Sequence, residues 1–229
     1  MNLLALETAT HHLSVALYRD GEVLERAEKI TNGGSERLLP WVGELLAEAG
    51  MAFTSLDGIA FGAGPGGFTG LRLACGIAQG LAFGLDLPVL GVSSLEALAL
   101  AANDTGAERV FACLDARMNE VYGAAYSFCD DEPVTVRAPA VASAELFCAP
   151  PGTGWIGCGD GFLAYPDLLG ASIVHIVPGL WPHAAAVARL AAPRLACGAG
   201  VDAGLAVPLY VRDKVALTTA ERLARGGAK

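Results

Sequence analysis

Hydrophobic and polar positions along the chain fall into two successive blocks with the same order of elements. Residues 2–9 are apolar enough for a buried strand. Residues 12–19 alternate, with Leu13, Val15 and Leu17 on one face. Asp20-Gly21 gives a hairpin turn, and 23–30 returns as a third strand. Asn32-Gly33-Gly34 breaks the chain and Ser35 is a candidate N-cap. Leu38, Leu39, Val42, Leu45 and Leu46 then trace the apolar face of a helix ending near Gly50, with Pro40 expected to kink or delay its first turns. A strand at 56–61, a glycine-rich loop at 62–67, a helix at 69–83 and a strand at 88–92 follow. Ser93-Ser-Leu-Glu96 reads as a capping box opening a helix to about Ala102.

Asn103-Asp-Thr-Gly106 interrupts this pattern and sets the expected boundary between an N-terminal lobe, 1–105, and a C-terminal lobe, 106–229. The second block starts with strands at 109–114 and 121–128, joined by a turn at 115–119, and a short third strand at 134–137. Ser143 is read as capping a helix through Phe147. A strand at 155–158, a helix at 162–169, a strand at 173–177 and a helix at 182–196 with proline at its first position complete the repeat. Pro208-Leu-Tyr-Val-Arg212 and a helical tail to about Arg225 close the chain. Three strands, helix, strand, helix, strand, helix, given twice, is the layout of the α/β actin-like ATPase fold, a ribonuclease H-like unit duplicated into two lobes around a cleft. That is an expectation about fold and not about function.

Composition narrows the class. The 229 residues are 53% hydrophobic and 17% charged, so the chain can bury a sizeable core. No uncharged apolar run reaches the roughly 18 residues of a membrane span, and the start reads as a strand and not as a signal peptide. Six scattered cysteines without a Cys-x-x-Cys pair are expected to be reduced, mostly core thiols in the cytoplasm. A net charge of −9 without a Lys/Arg cluster disfavours direct gripping of nucleic acid.

The glycine-rich block draws two readings. Gly62-x-Gly64-x-x-Gly67 has dinucleotide-fingerprint spacing, yet the acid expected after the next strand is missing: Asp86 precedes that strand and Ser93 follows it. Phe68 stands where a Walker loop has lysine. In the helix beyond, Gly76, Gly80 and Gly84 recur every fourth residue and share one face, beside a row of Ala74, Ala78 and Ala82. Glycine inside a helix costs about 1 kcal/mol relative to alanine. A row of three therefore calls for a close approach, either to the chain's own sheet or to a helix of another chain.

Other chemistry is sparse. The hairpin turns Glu7-Thr-Ala-Thr-His11 and Asp115-Ala-Arg-Met-Asn119 place Glu7 and Asp115 where a working ATPase holds metal and phosphate. Local hydrogen bonding by turn acids is the competing reading. His11, His12, His175 and His183 include no pair at helical ligand spacing, and adjacent His11 and His12 are expected on opposite sides of a strand. No Gly-x-Ser-x-Gly elbow marks a serine hydrolase. Arg72 can reach an anion or a partner carboxylate, or stand in solvent.

Several segments resemble the bacterial TsaB family, also called YeaZ. They are Leu6-Glu-Thr-Ala-Thr10, Leu38-Leu-Pro40, Gly64-Pro-Gly-Gly-Phe-Thr-Gly-Leu-Arg72, Ala78-Gln-Gly-Leu-Ala-Phe-Gly84, Gly91-Val-Ser-Ser-Leu-Glu-Ala97, Asp115-Ala-Arg-Met118 with Glu120-Val-Tyr122, and Pro208-Leu-Tyr-Val-Arg212. Glu7 replaces the family's usual aspartate, and Gly67 its usual serine. The resemblance implies a non-catalytic scaffold or activating subunit in the formation of N6-threonylcarbamoyladenosine (t6A) at tRNA position 37. It implies pairing with a catalytic TsaD-type relative that carries a His-x-x-x-His metal pair, a TsaE-type ATPase joining the assembly, tRNA met only through the complex, and self-association when alone. The implied pairing surface is Leu71, Arg72, Leu73, Gly76, Ile77, Gly80, Leu81 and Gly84. A vestigial nucleotide cleft would use Glu7, Thr8, Thr10, Asp115 and Arg117, with no metal, cofactor or membrane. The alternatives are an actin-like ATP-dependent small-molecule kinase and a metallopeptidase-like protein.

Overall fold

The computed structural model describes residues 1–30, 33–129, 132–166 and 173–212. The first sheet holds β1 (Asn2–Glu7), β2 (His12–Arg19), β3 (Glu22–Lys29), β4 (Gly58–Gly64) and β5 (Val89–Ser93), in the order β3-β2-β1-β4-β5. β1 pairs antiparallel with β2 and parallel with β4, so Leu4 sits between Leu17 and Ile59, and Leu6 between Val15 and Phe61. Because side chains alternate, these residues form one apolar face, against which α1 (Ser35–Glu48) and α2 (Phe68–Leu85) pack. The opposite face, Leu3, Ala5, Ala16, Ala60 and Val92, receives α5 (Ala184–Ala196).

The second sheet repeats the plan. β6 (Arg109–Asp115), β7 (Glu120–Cys129), β8 (Glu132–Ser143), β9 (Trp155–Cys158) and β10 (Ile173–Val177) lie in the order β10-β9-β6-β7-β8. Val110, Ala112, Leu114, Ala124 and Tyr126 face α3 (Ser94–Asn103). The other face, with Phe111, Val121 and Trp155, is closed by Phe147 and by Phe162 of the short α4 (Gly161–Ala164). The two central helices are exchanged between blocks: α3 lies on the second sheet and α5 on the first. Forked ion pairs join them, Arg194 to Glu96 at 2.6 and 3.0 Å and Arg189 to Asp104 at 2.6 and 3.0 Å. The two blocks are therefore interlocked through this central layer.

The expected order of elements is present, and several local readings change. The capping box does not form: Ser93 makes no side-chain cap bond, Ser94 donates to Glu7, and Glu96 is drawn to Arg194. β8 runs to Ser143 and a turn replaces the helix expected at 143–147. Pro139 hid this strand; it is tolerated because β8 is a sheet edge and the register slips between Arg137 and Ala140. α1 continues through Pro40, with Gly34 and not Ser35 at its N-cap. α5 starts after His183, because Ser14 Oγ accepts from Ala184 N and Glu25 Oε1 from Ala185 N, fixing the first turn there. The part of the expected 162–169 helix beyond residue 166, and the tail after Arg212, lie outside the described residues.

Candidate functional site

The glycine loop and the first turn of α2 pack closely against the chain's first hairpin turn. A β-carbon at Gly62 would lie 1.9 Å from the Glu7 carboxylate, at Gly66 2.4 Å from Ala9 O, and at Gly70 1.9 Å from Thr8 O. Gly67 N donates to Ala9 O at 2.7 Å, and Thr8 Oγ1 donates to Gly70 O at 2.6 Å. These glycines let the segment pack tightly against the chain's own first hairpin turn, while Gly66 and Gly67 also line the cleft between the two blocks.

The place expected of Glu7 is corrected. Its side chain is fully buried, and its carboxylate accepts from Ala9 N at 2.6 Å and Ser94 Oγ at 2.8 Å. Burial raises its pKa, against the lowering effect of those donors. It underpins the turn and is absent from the cleft wall.

The other expected cleft residues do converge. Thr8, Thr10, Asp115 and Arg117 line an inter-lobe cleft of about 960 Å³, joined by His11 and Asp160. Asp115 Oδ1 accepts from Arg117 N at 2.8 Å, its Oδ2 lies 3.0 Å from Arg117 Nη1, and Tyr165 OH is 3.3 Å from Oδ1. Asp160 Oδ1 accepts from Asp115 N at 2.9 Å; burial, then repulsion from Asp115, raises its pKa. The polar atoms of the second turn are thus largely spent on one another. Arg117, Met118 and Asn119 are all left-handed, with φ of 62°, 58° and 59°, which leaves this glycine-free turn strained. Asp160 was missed from sequence, although Gly-Asp-Gly directly after a strand was a readable turn signal. Among the described residues, no three His, Cys, Asp or Glu side chains come together as a metal site.

His11 and His12 do not part to opposite sides. Their rings lie 4.6 Å apart, and both pack on Trp181, at 4.6 and 3.9 Å. His11 lies in the turn before β2 begins, so strand alternation does not separate the pair. Burial lowers both pKa values, that of His12 to about 4, and His12 Nδ1 is buried without a partner among the described residues.

The exposed side of α2 is the second feature. Ala74, Ala78 and Ala82 are buried against the sheet, while Gly76, Gly80 and Gly84 face outward. A β-carbon at any of those three glycines meets nothing within 4 Å among the described residues. The reading in which this row packs on the chain's own sheet is therefore overturned. Leu73, Ile77 and Leu81 are half-buried beside the row, and Phe83 is 84% exposed. Leu71 is not on this surface: it is 2% exposed and fills the space beside Gly64. Arg72 lies 3.5 Å over the Phe68 ring and donates from Nε to Tyr210 OH at 3.1 Å, so it is held and not free in solvent. α2 is long and apolar enough to cross a membrane by length and composition, with a mean hydropathy of 1.3 over 18 residues, while its alanine row is part of the core.

Two sheets of identical strand order, with a hairpin turn from each facing one cleft, make this an α/β protein of the duplicated actin-like class. Residues 28–148 match the model of a family described as TsaD, tRNA N6-adenosine threonylcarbamoyltransferase. The tRNA threonylcarbamoyladenosine biosynthesis protein TsaB of Escherichia coli is 38% identical, over 94% of this chain and 96% of that protein. The protein of the same name from Haemophilus influenzae is 50% identical over 53% of this chain and 52% of its own length. A solved structure described as YeaZ from Pseudomonas aeruginosa superposes with a TM-score of 0.87 at 44% identity, covering 91% of this chain and 99% of that one. The chain belongs to the TsaB (YeaZ) family.

Proposed function

We propose that this chain is a non-catalytic scaffold of t6A formation in the cytoplasm, which pairs through the exposed face of α2 with a catalytic TsaD-type relative. The observation that carries the reading is the outward glycine row on an apolar helix, open to within 4 Å and bordered by Arg72, Leu73, Ile77, Leu81 and Phe83. Glycine there lets a second helix backbone come close, and an exposed apolar patch of this kind favours association. The burial of Glu7 supports the non-catalytic part, because this first-turn carboxyl is spent on internal hydrogen bonds to Ala9 and Ser94. In this reading a TsaE-type ATPase joins the pair, tRNA is met through the assembly, and two copies of the chain use the same face when the relative is missing. Light scattering after size exclusion, on the chain alone and mixed with the TsaD-type protein, tests it. A one-to-one complex replacing any homodimer is expected. A chain that stays alone in the mixture overturns it, and micromolar binding of Mg-ATP to the isolated chain by calorimetry favours a kinase instead.

A further inference from the structure

Among the described residues, 206–212 form an extended segment that belongs to no strand, attached through Ala206, Leu209, Tyr210 and Arg212. Ala206 O accepts from Gln79 Nε2 at 3.0 Å and from Cys75 Sγ at 3.4 Å, both on α2. Leu209 N donates to Ala63 O at 2.7 Å, one residue before the end of β4. Tyr210 OH accepts from Arg72, and its ring lies 6.1 Å from Phe68 in the first turn of α2. The segment then crosses to the second block. Arg212 Nη2 donates to Ala116 O at 2.9 Å and to Glu120 Oε2 at 2.5 Å, with its guanidinium 5.6 Å from the Tyr122 ring. Ala116 and Glu120 are the two ends of the strained left-handed turn, closed by Ala116 N donating to Glu120 O at 3.0 Å.

This path has little slack. An extended chain rises about 3.3 Å per residue, so only about 7 Å of backbone separates the Tyr210 anchor on α2 from the Arg212 anchor on the second turn. A shift of the first turn of α2 is passed to the second turn to the extent that the Arg72, Tyr210 and Arg212 side chains do not take it up by changing rotamer. We propose that residues 206–212 are a tie through which a partner docked on α2 restrains the second hairpin turn, with Tyr210 and Arg212 as its positioning residues. The inference rests on the reading of α2 as the pairing face. It adds that pairing fixes the cleft between the lobes as well as the surface that is touched.

Hydrogen–deuterium exchange of the full chain, free and in complex with the TsaD-type protein, tests this. In the wild type, complex formation slows exchange in peptides covering 68–85 and also in those covering 114–121, the latter by about tenfold. Arg212→Met keeps the apolar stem but removes the donors; protection at 68–85 remains and protection at 114–121 falls below about twofold. Tyr210→Phe removes only the hydroxyl and gives an intermediate loss, which separates a tie from general unfolding. Arg212→Lys restores part of the effect, since a point charge replaces a fork. Protection at 68–85 with none at 114–121 in the wild type overturns the tie and leaves the pairing reading standing. Equal protection of 114–121 in the wild type, Arg212→Met and Tyr210→Phe also overturns it. Absence of a complex, with neither region protected, removes the pairing reading and the tie together.

Discussion

Replacing Gly76 and Gly80 by alanine should strengthen the isolated chain and weaken its pairing. Each added β-carbon enters open space, so the fold gains helix propensity without a clash. Alanine is better than glycine in a helix interior by about 1 kcal/mol, which gives roughly 1.5–2 kcal/mol for the pair. For a chain of this size, each kcal/mol raises the melting temperature by about 2–4 °C, so a rise of about 3–8 °C is expected. The same methyl groups stand where a partner backbone is to approach. Overpacking such a contact costs about 1–3 kcal/mol, a loss of roughly 5- to 150-fold in affinity, with Gly80→Leu at the upper end. Denaturant melts at several protein concentrations read the first quantity and remove any contribution from self-association. Titration calorimetry with the TsaD-type protein reads the second. Gly70→Ala is the internal control, since its β-carbon would fall 1.9 Å from Thr8 O and must destabilise the fold. Lower stability of the alanine variants would place the row inside the chain. Higher stability with unchanged pairing, Gly80→Leu included, would refute the assignment of this face.

The remaining expectations concern buried charge. Because burial raises the Glu7 pKa, the folded chain holds a proton that the unfolded chain gives up, so this group's stability contribution is full at acid pH and falls as pH rises from the ordinary carboxylate value to the raised one. Glu7→Gln should therefore gain on the wild type in denaturant melts as pH rises above the ordinary carboxylate value, and a gap that does not widen would argue against it. His12 is shifted the other way, to about 4, so folding stability falls as pH drops from the ordinary histidine value near 6.5 to about 4; His12→Phe keeps the stack on Trp181 and should flatten that part of the profile. Glu96→Gln breaks the forked pair to Arg194 in the central helix layer, where Arg194 is partly exposed, and should cost about 1–3 kcal/mol by urea melts.

Much of the fold was legible because period-2 and period-3.6 patterns are local. β1, β2 and β4 announce themselves through apolar runs, and Asp20-Gly21 fixes the first hairpin. What escaped depends on partners distant in sequence. Glu96 has capping-box spacing but meets Arg194, which no local pattern predicts. β8 is an edge strand with prolines, so its composition reads as a break even though β7 holds it in place. The glycine row was legible as a row, whereas its direction was not: four-residue spacing says that three glycines share a face, and only the alanine row on the sheet decides which face is outside. Arg212 was legible as part of a motif, but its attachment to Ala116 and Glu120 exists only once the chain has folded back.

The two glycine sets in this short segment have opposite physical meanings, and together they fit one division of labour. Gly62, Gly66 and Gly70 are glycine because Glu7, Thr8 and Ala9 press against them, so this segment is the bed of the chain's own first hairpin turn. Gly76, Gly80 and Gly84 are glycine although nothing in the described chain presses on them. A residue that lowers helix stability where it has no neighbour makes sense when the neighbour comes from outside. The tie of residues 206–212 joins these regions, running from Gln79 past Phe68 and Arg72 to the second hairpin turn. In this chain the cleft between the two blocks is kept, the acidic side chain of its first turn is buried, and the exposed glycine row lies on the face of α2 turned away from the sheet.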